Sequence, residues 1–120
     1  MLSPFTRTHH LDDGPRVRLR LASRSDAPAV EDLLVRRGLY ASQLEVSRLL
    51  AFHPGHRVLL CAFAPIDGQE TLVGIGAIDL DEDADPDTLV VDERLAGGGL
   101  AALLGAVLAS RAHAHGRRVA

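Results

Sequence analysis

Three consecutive glycines, Gly97-Gly98-Gly99, separate a short apolar run ending at Val91 from an unbroken apolar run that begins at Leu100. Glycine loses more conformational freedom on folding than any other residue and weakens any helix or strand it enters. A chain that places three of them between a strand-like and a helix-like segment is therefore making a strand-to-helix junction of unusual backbone shape. Two physical reasons compete. The connection needs a positive φ, or something approaches the main chain closely at that point. The apolar stretch from Leu100 to Ser110 is shorter than the ~20 residues that span a bilayer. Its apolar face must instead be buried against another protein layer, which makes the chain a layered α/β domain.

The remaining elements agree with that class. At 120 residues the chain is long enough for one modest core. Residues 16 to 21, Arg-Val-Arg-Leu-Arg-Leu, alternate strictly and form a half-buried strand. Ser25 is the expected cap of a first helix, preferred over Ser23 because Pro28 is tolerated only near a helix start. Val30, Leu33 and Leu34 form the buried stripe of that helix, and Gly38 ends it. A second helix is expected from Ser42 to Ala51, with Leu44, Leu49 and Leu50 inward. Residues 57 to 64 form a buried strand, Asp67-Gly68 a hairpin turn, and residues 71 to 80 the returning strand. Gly74 and Gly76 share one face of that strand, where a neighbour must come close. Thr88 to Val91 is a short strand, and the last helix runs from Leu100 to His115 with Gly116 as its stop. Arg117 to Ala120 begins another strand, and residues 1 to 15 are a polar, flexible leader. The fold class is therefore α/β (α+β), a mainly antiparallel mixed sheet flanked by helices.

Composition and motif spacing exclude several functions. The first sixty residues carry nine Arg and six acids, the last sixty four Arg and ten acids. No clustered basic excess marks a nucleic-acid surface, and no signal-peptide or membrane-spanning segment is present. We expect no nucleic-acid partner, no membrane partner and a cytoplasmic location. Cys61, the single cysteine, lies in an apolar run and reads as a buried, inert thiol. His53 and His56 flank Pro54-Gly55 without further ligands at suitable spacing, and His9-His10 reads as a solvated pair. Asp81, Asp83 and Asp85 imitate a calcium loop, but Pro86 and Asp92 stand where Gly and Glu are needed. No metal site is expected.

The glycine junction is the chemically suggestive segment. A helix N-terminus leaves four amides without intrahelical acceptors and carries partial positive charge, so glycines before it allow several N–H groups to converge on phosphate oxygens. A Walker loop is excluded because the chain contains no Lys. Gly97-x-Gly99-x-x-Ala102 meets the dinucleotide fingerprint in form only, because it is not in the first strand–helix unit and no acid follows about twenty residues on.

As a block, Val91-Asp92-Glu93-Arg94-Leu95-Ala96-Gly97-Gly98-Gly99-Leu100-Ala101-Ala102-Leu103-Leu104 resembles the acetyl-CoA-binding segment of the GNAT superfamily of N-acetyltransferases. There a strand ending in Val-Asp leads into Arg/Gln-x-x-Gly-x-Gly/Ala and a Leu-rich helix. "VRLRLASRSDAPAVEDLL" is similar to the family's first strand and helix, and "TLVGIGAIDL" to its third strand, so the resemblance spans roughly residues 16 to 120. It departs at Ala96, where the family has Arg or Gln, and at Gly98, where a basic residue is common. It also departs at the end of the sequence, where family members continue with a fifth strand, a fourth helix and a hairpin. The fourth helix usually supplies a Tyr acid, whereas Tyr40, the single tyrosine here, lies near the first helix.

The resemblance implies an acetyl-CoA-dependent N-acyltransferase acting on an unidentified primary amine. It implies that Val90 and Val91 offer backbone groups to the pantetheine arm, and that Ala96, Gly97, Gly98, Gly99, Leu100, Ala101 and Ala102 hold the pyrophosphate. It assigns the general base to Asp87, which otherwise reads as a solvated carboxylate closing an acidic loop. The alternative is a non-catalytic GNAT-like module that associates through an open sheet edge. Both versions predict a homodimer, or completion by a partner segment, because an unpaired strand edge is an association hazard.

Overall fold

The computed structural model describes residues 7–10, 16–39, 43–50, 56–81, 86, 88–95 and 99–119. Five strands form one sheet in the order β1 (Arg7–His10), β2 (Arg16–Leu21), β3 (Arg57–Ile66), β4 (Gln69–Asp79) and β5 (Thr88–Val91). Every pairing is antiparallel, so the expected mixed character is not found among these strands. Helices α1 (Ala27–Arg36) and α2 (Gln43–Leu50) cover one face, and α3 (Leu100–Val119) covers the other. No helix among the described residues is long and apolar enough to cross a membrane.

The alternation in β2 has the expected consequence. Val17 and Leu19 point into the core beneath α3, while Arg18 and Arg20 lie on the opposite face. Arg20 is not left in solvent. Its guanidinium holds the buried Asp26 carboxylate through two hydrogen bonds, of 2.8 and 2.7 Å, and lies 4.5 Å from the Phe63 ring centroid. Burial pushes the Asp26 carboxyl up, and the Arg20 pair and the Ser23 N–H outweigh it, so the group is held below its ordinary range. Arg20 thus closes the open end of the α1 layer with a charge-assisted fork.

Four boundaries differ from the sequence reading. Arg7–His10, placed there in a polar leader, pair with Arg16–Leu19 as a sheet strand. Ser23 rather than Ser25 starts the first helical segment. Its N–H donates to Asp26 Oδ2 at 2.7 Å, and a short 3₁₀ turn (Arg24–Asp26) precedes α1. Among the described side chains of α2, Val46 and Leu50 are buried and Leu49 is partly buried; Val46 was not expected, and the side chain of Leu44 lies outside the described residues. The last helix runs through Gly116 to Val119, where a new strand was expected from Arg117. An interior glycine costs a helix only about 1 kcal/mol, so Gly116 does not end it.

The face glycines of β4 set the depth of α3. A Cβ built on Gly74 would lie 3.2 Å from Leu100 Cδ2 and from Leu104 Cδ1. One on Gly76 would lie 3.0 Å from Leu108 Cδ1 and 3.1 Å from Leu89 Cδ2. Leu100, Leu104 and Leu108, spaced four apart on one helix face, are fully buried there. The hairpin between β3 and β4 turns on Asp67 and Gly68, with φ of 51° and 79°, the paired positive values of a type I′ turn. A bulge follows in β4. Ala62 pairs with Gly74 and Phe63 with Leu72, so Val73 is the extra residue.

Gly76→Val should destabilise the fold by about 1–3 kcal/mol, because the added branches meet Leu108 and Leu89. Gly105, in α3 with nothing within 4 Å of its Cβ direction, should respond the opposite way. Gly105→Ala is expected to stabilise by about 1 kcal/mol. Urea unfolding of the two variants beside the wild type measures both.

Candidate functional site

β5 and α3 meet at the edge of the sheet. The Asp92 N–H donates to Val73 O at 2.7 Å, which makes Asp92 and Val73 a hydrogen-bonded pair. In an antiparallel ladder such pairs alternate. With Val91 opposite Gly74 and Val90 opposite Ile75, the alternation turns the main-chain groups of Val90 toward β4. Those of Leu89 and Val91 face the open edge. Val91 thus turns its main chain away from β4, whereas Val90 offers its main chain to the sheet and its side chain to the α1 face.

At the far side of the junction, Gly99 has φ +87° and its carbonyl accepts the first α-helical bond, from Leu103 N at 2.9 Å. The amides of Leu100, Ala101 and Ala102 precede that bond and stand at the helix mouth. Leu100 sends its side chain into the core at 1% exposure, while Gly99, Ala101 and Ala102 are exposed. Nothing lies within 4 Å of the Gly99 Cβ direction. The positive φ gives this glycine a conformational reason of its own. Asp87, Ala96, Gly97 and Gly98 lie outside the described residues, as does Tyr40.

A group that the sequence reading did not single out holds this junction. Asp92, 4% exposed, sits between the strand end and a 3₁₀ turn at Glu93–Leu95. Its Oδ1 accepts from Arg94 N at 2.9 Å and from Arg94 Nε at 3.1 Å, and its Oδ2 accepts from Arg94 Nη2 at 2.8 Å. Arg36 of α1 donates Nη1 to the same Oδ2 and Nη2 to Leu72 O at 3.0 Å. Arg36 Nε also meets Asp32 at 3.1 Å. The bulge thus presents neighbouring carbonyls to both partners, Leu72 O to Arg36 and Val73 O to Asp92. Hydrogen bonding from the Arg94 side chain, acting against burial, lowers the Asp92 carboxyl to about 2. Arg94 two residues on was visible in the sequence. Nothing in the sequence brings Arg36, fifty-six positions away, to the same carboxylate.

An ionised, doubly paired carboxylate is a poor proton acceptor, so Asp92 is a structural anion rather than a base. Cys61 is equally inert, its thiol pushed up to about 12 by burial, as its apolar surroundings in the sequence implied. Among the described residues no cluster of three or more His, Cys, Asp or Glu is arranged to hold a metal ion.

Acid titration checks the clamp. Because the folded Asp92 carboxyl lies below its unfolded value, its contribution is complete above about pH 5 and disappears as the pH falls toward about 2. About 1–2 kcal/mol of stability should be lost over that range. Asp92→Asn should be destabilised at neutral pH and should show a shallower decline below pH 5, measured by denaturant unfolding at each pH.

No protein-family model matches the sequence, and no curated protein matches it. Solved structures do. The GNAT domain of S. lividans PAT superposes with a TM-score of 0.74 at 20% identity, covering 97% of this chain and 76% of that one. The ribosomal-protein-alanine N-acetyltransferase from Brucella melitensis biovar Abortus 2308 superposes with a TM-score of 0.59 at 23% identity, covering 83% and 74%. At such identities the likeness concerns the backbone. With five antiparallel strands between the α1–α2 layer and α3, and a glycine-led helix mouth beside β5, this chain has the fold of a GNAT domain.

Proposed function

We propose that this protein binds acetyl-CoA and transfers its acyl group to a primary amine. The observation that carries the reading is the mouth of α3. The Gly99 carbonyl starts the helix, Ala101 and Ala102 in its first turn are exposed, and Val91 in β5 turns its main chain away from β4. Main-chain donors at a helix N-terminus suit the diphosphate of CoA, and a free strand edge suits the amide groups of its pantetheine arm. The acceptor nitrogen would attack the thioester carbonyl, the C–N bond forming as the C–S bond breaks, with one proton leaving nitrogen and one reaching the departing sulfur. Because only a neutral amine attacks, a base must take the first proton. Asp87, one residue ahead of β5, is the proposed base. A cytoplasmic location goes with this reading, because acyl-CoA donors are intracellular.

A second reading rests on the same edge. Among the described residues β5 is paired on one side only, and Leu89 in it is 43% exposed. A module without activity would associate there with a second copy or a partner segment. Light scattering across a concentration series tests the association: a monomer at every concentration removes the homodimer.

Acetyl-CoA at a hundred times its Kd should stabilise the protein by about 2.7 kcal/mol, seen as a raised melting temperature. Ala101→Glu separates binding from folding. An acid in the first turn favours the helix dipole by about 0.3–1 kcal/mol but repels phosphate. The variant should melt at or above the wild-type temperature while losing most of the cofactor-induced shift. A wild-type protein that does not respond to millimolar acetyl-CoA rules the acyltransferase reading out.

A further inference from the structure

The Asp92 clamp ties the C-terminal end of α1 to the end of β5, beside the Arg37–Glu93 ion pair at 3.7 Å. Arg36 belongs to α1, on one face, whereas the helix mouth belongs to α3, on the other. The connection runs from Arg36 to Asp92, from Asp92 to the 3₁₀ turn through the Arg94 contacts and Leu95 N, which donates to Asp92 O at 2.9 Å. Leu95, the last residue of that turn, packs against the apolar cluster that contains Leu100 and Leu104 of α3. Arg36 is also fastened to the β4 bulge at Leu72 O, so its guanidinium is a fixed point and not a swinging surface cation.

We propose that Arg36 is a positioning residue for the acyl-CoA seat, setting the path of residues 92–95 through Asp92 and thereby aiming the amides at the mouth of α3. This rests on the acyl-CoA reading above, and it adds a residue of α1, on the opposite face of the sheet from α3. The physical basis is the asymmetry of buried charge. With both guanidiniums present the carboxylate is met from two sides and has one position. Without Arg36 the Asp92 Oδ2 loses a donor, the bulge carbonyl of Leu72 loses its partner, and a buried anion must turn toward water or toward Arg94 alone. Either movement pulls the strand end that feeds the glycines. Since a diphosphate seat is made of several main-chain donors that must converge, a small displacement weakens all of them together.

The test uses Arg36→Gln and Arg36→Lys in the full chain, at a temperature where circular dichroism shows each variant fully folded. Calorimetry should give an acetyl-CoA Kd about tenfold weaker than wild type for Arg36→Gln, with partial recovery for Arg36→Lys, which keeps the charge but not the two-pronged contact. The amide resonances of Gly99, Ala101 and Ala102 should shift in Arg36→Gln while that of Leu108, further along α3, stays in place. If Arg36→Gln does not fold, the Arg36→Lys affinity and amide shifts decide the matter alone. Wild-type binding with unchanged affinity and unchanged resonances at 99–102 in the folded variants overturns the positioning role and leaves the acyl-CoA reading standing. No binding by the wild type overturns both.

Discussion

A carboxylate taken out of water must be met by charge or by several donors, and at Asp92 it is met by both. Two arginine side chains and one main-chain amide converge on it at the point where β5 ends. The arrangement fixes three things together. It ends the strand with a bond to Val73, starts the turn at Glu93–Leu95, and ties α1 to the end of β5 through Arg36. Each of these would be a weak surface contact in isolation. Sharing one buried anion makes them cooperative, since no partner can leave without exposing the others' charge.

The β4 strand supplies the other half of the frame. Its two face glycines let α3 approach until leucine methyl groups occupy the space a side chain would take. Its bulge sets Val73 beside Gly74 on the α3 face, while Leu72 stays beneath α1. Close packing under α3 and the carbonyls that meet Arg36 and Asp92 come from the same stretch, residues 72–76. The first turn of α3 is therefore held from behind by the apolar contacts of Leu100 and Leu104, while Gly99, Ala101 and Ala102 are exposed.

Much of this was legible in the residues. The alternation of Arg16 to Leu21, the Asp67-Gly68 turn and the paired glycines at 74 and 76 are local signals with one good physical solution, and each is found in the fold. The failures share a cause. Arg7–His10 has no periodicity of its own and becomes a strand because β2 offers it an edge. Gly116 resembles a stop signal, yet the helix continues through it. Between Ser23 and Ser25 the local preferences nearly tie, and the buried Asp26 with its Arg20 partner decides for Ser23.

The sequence by itself determined the order of elements from β2 to α3, the start of the last helix at Leu100 and the inertness of Cys61, because each follows from interactions between residues close along the chain or from simple burial. Only the tertiary structure decided which main-chain groups face the open edge of β5, since that depends on the register with β4. It alone revealed that Asp92 is held by Arg36, because a pairing across fifty-six residues has no local signature. Spacing along a chain encodes the geometry of single elements, whereas the electrostatics of a site arise from elements that meet only after the chain has folded.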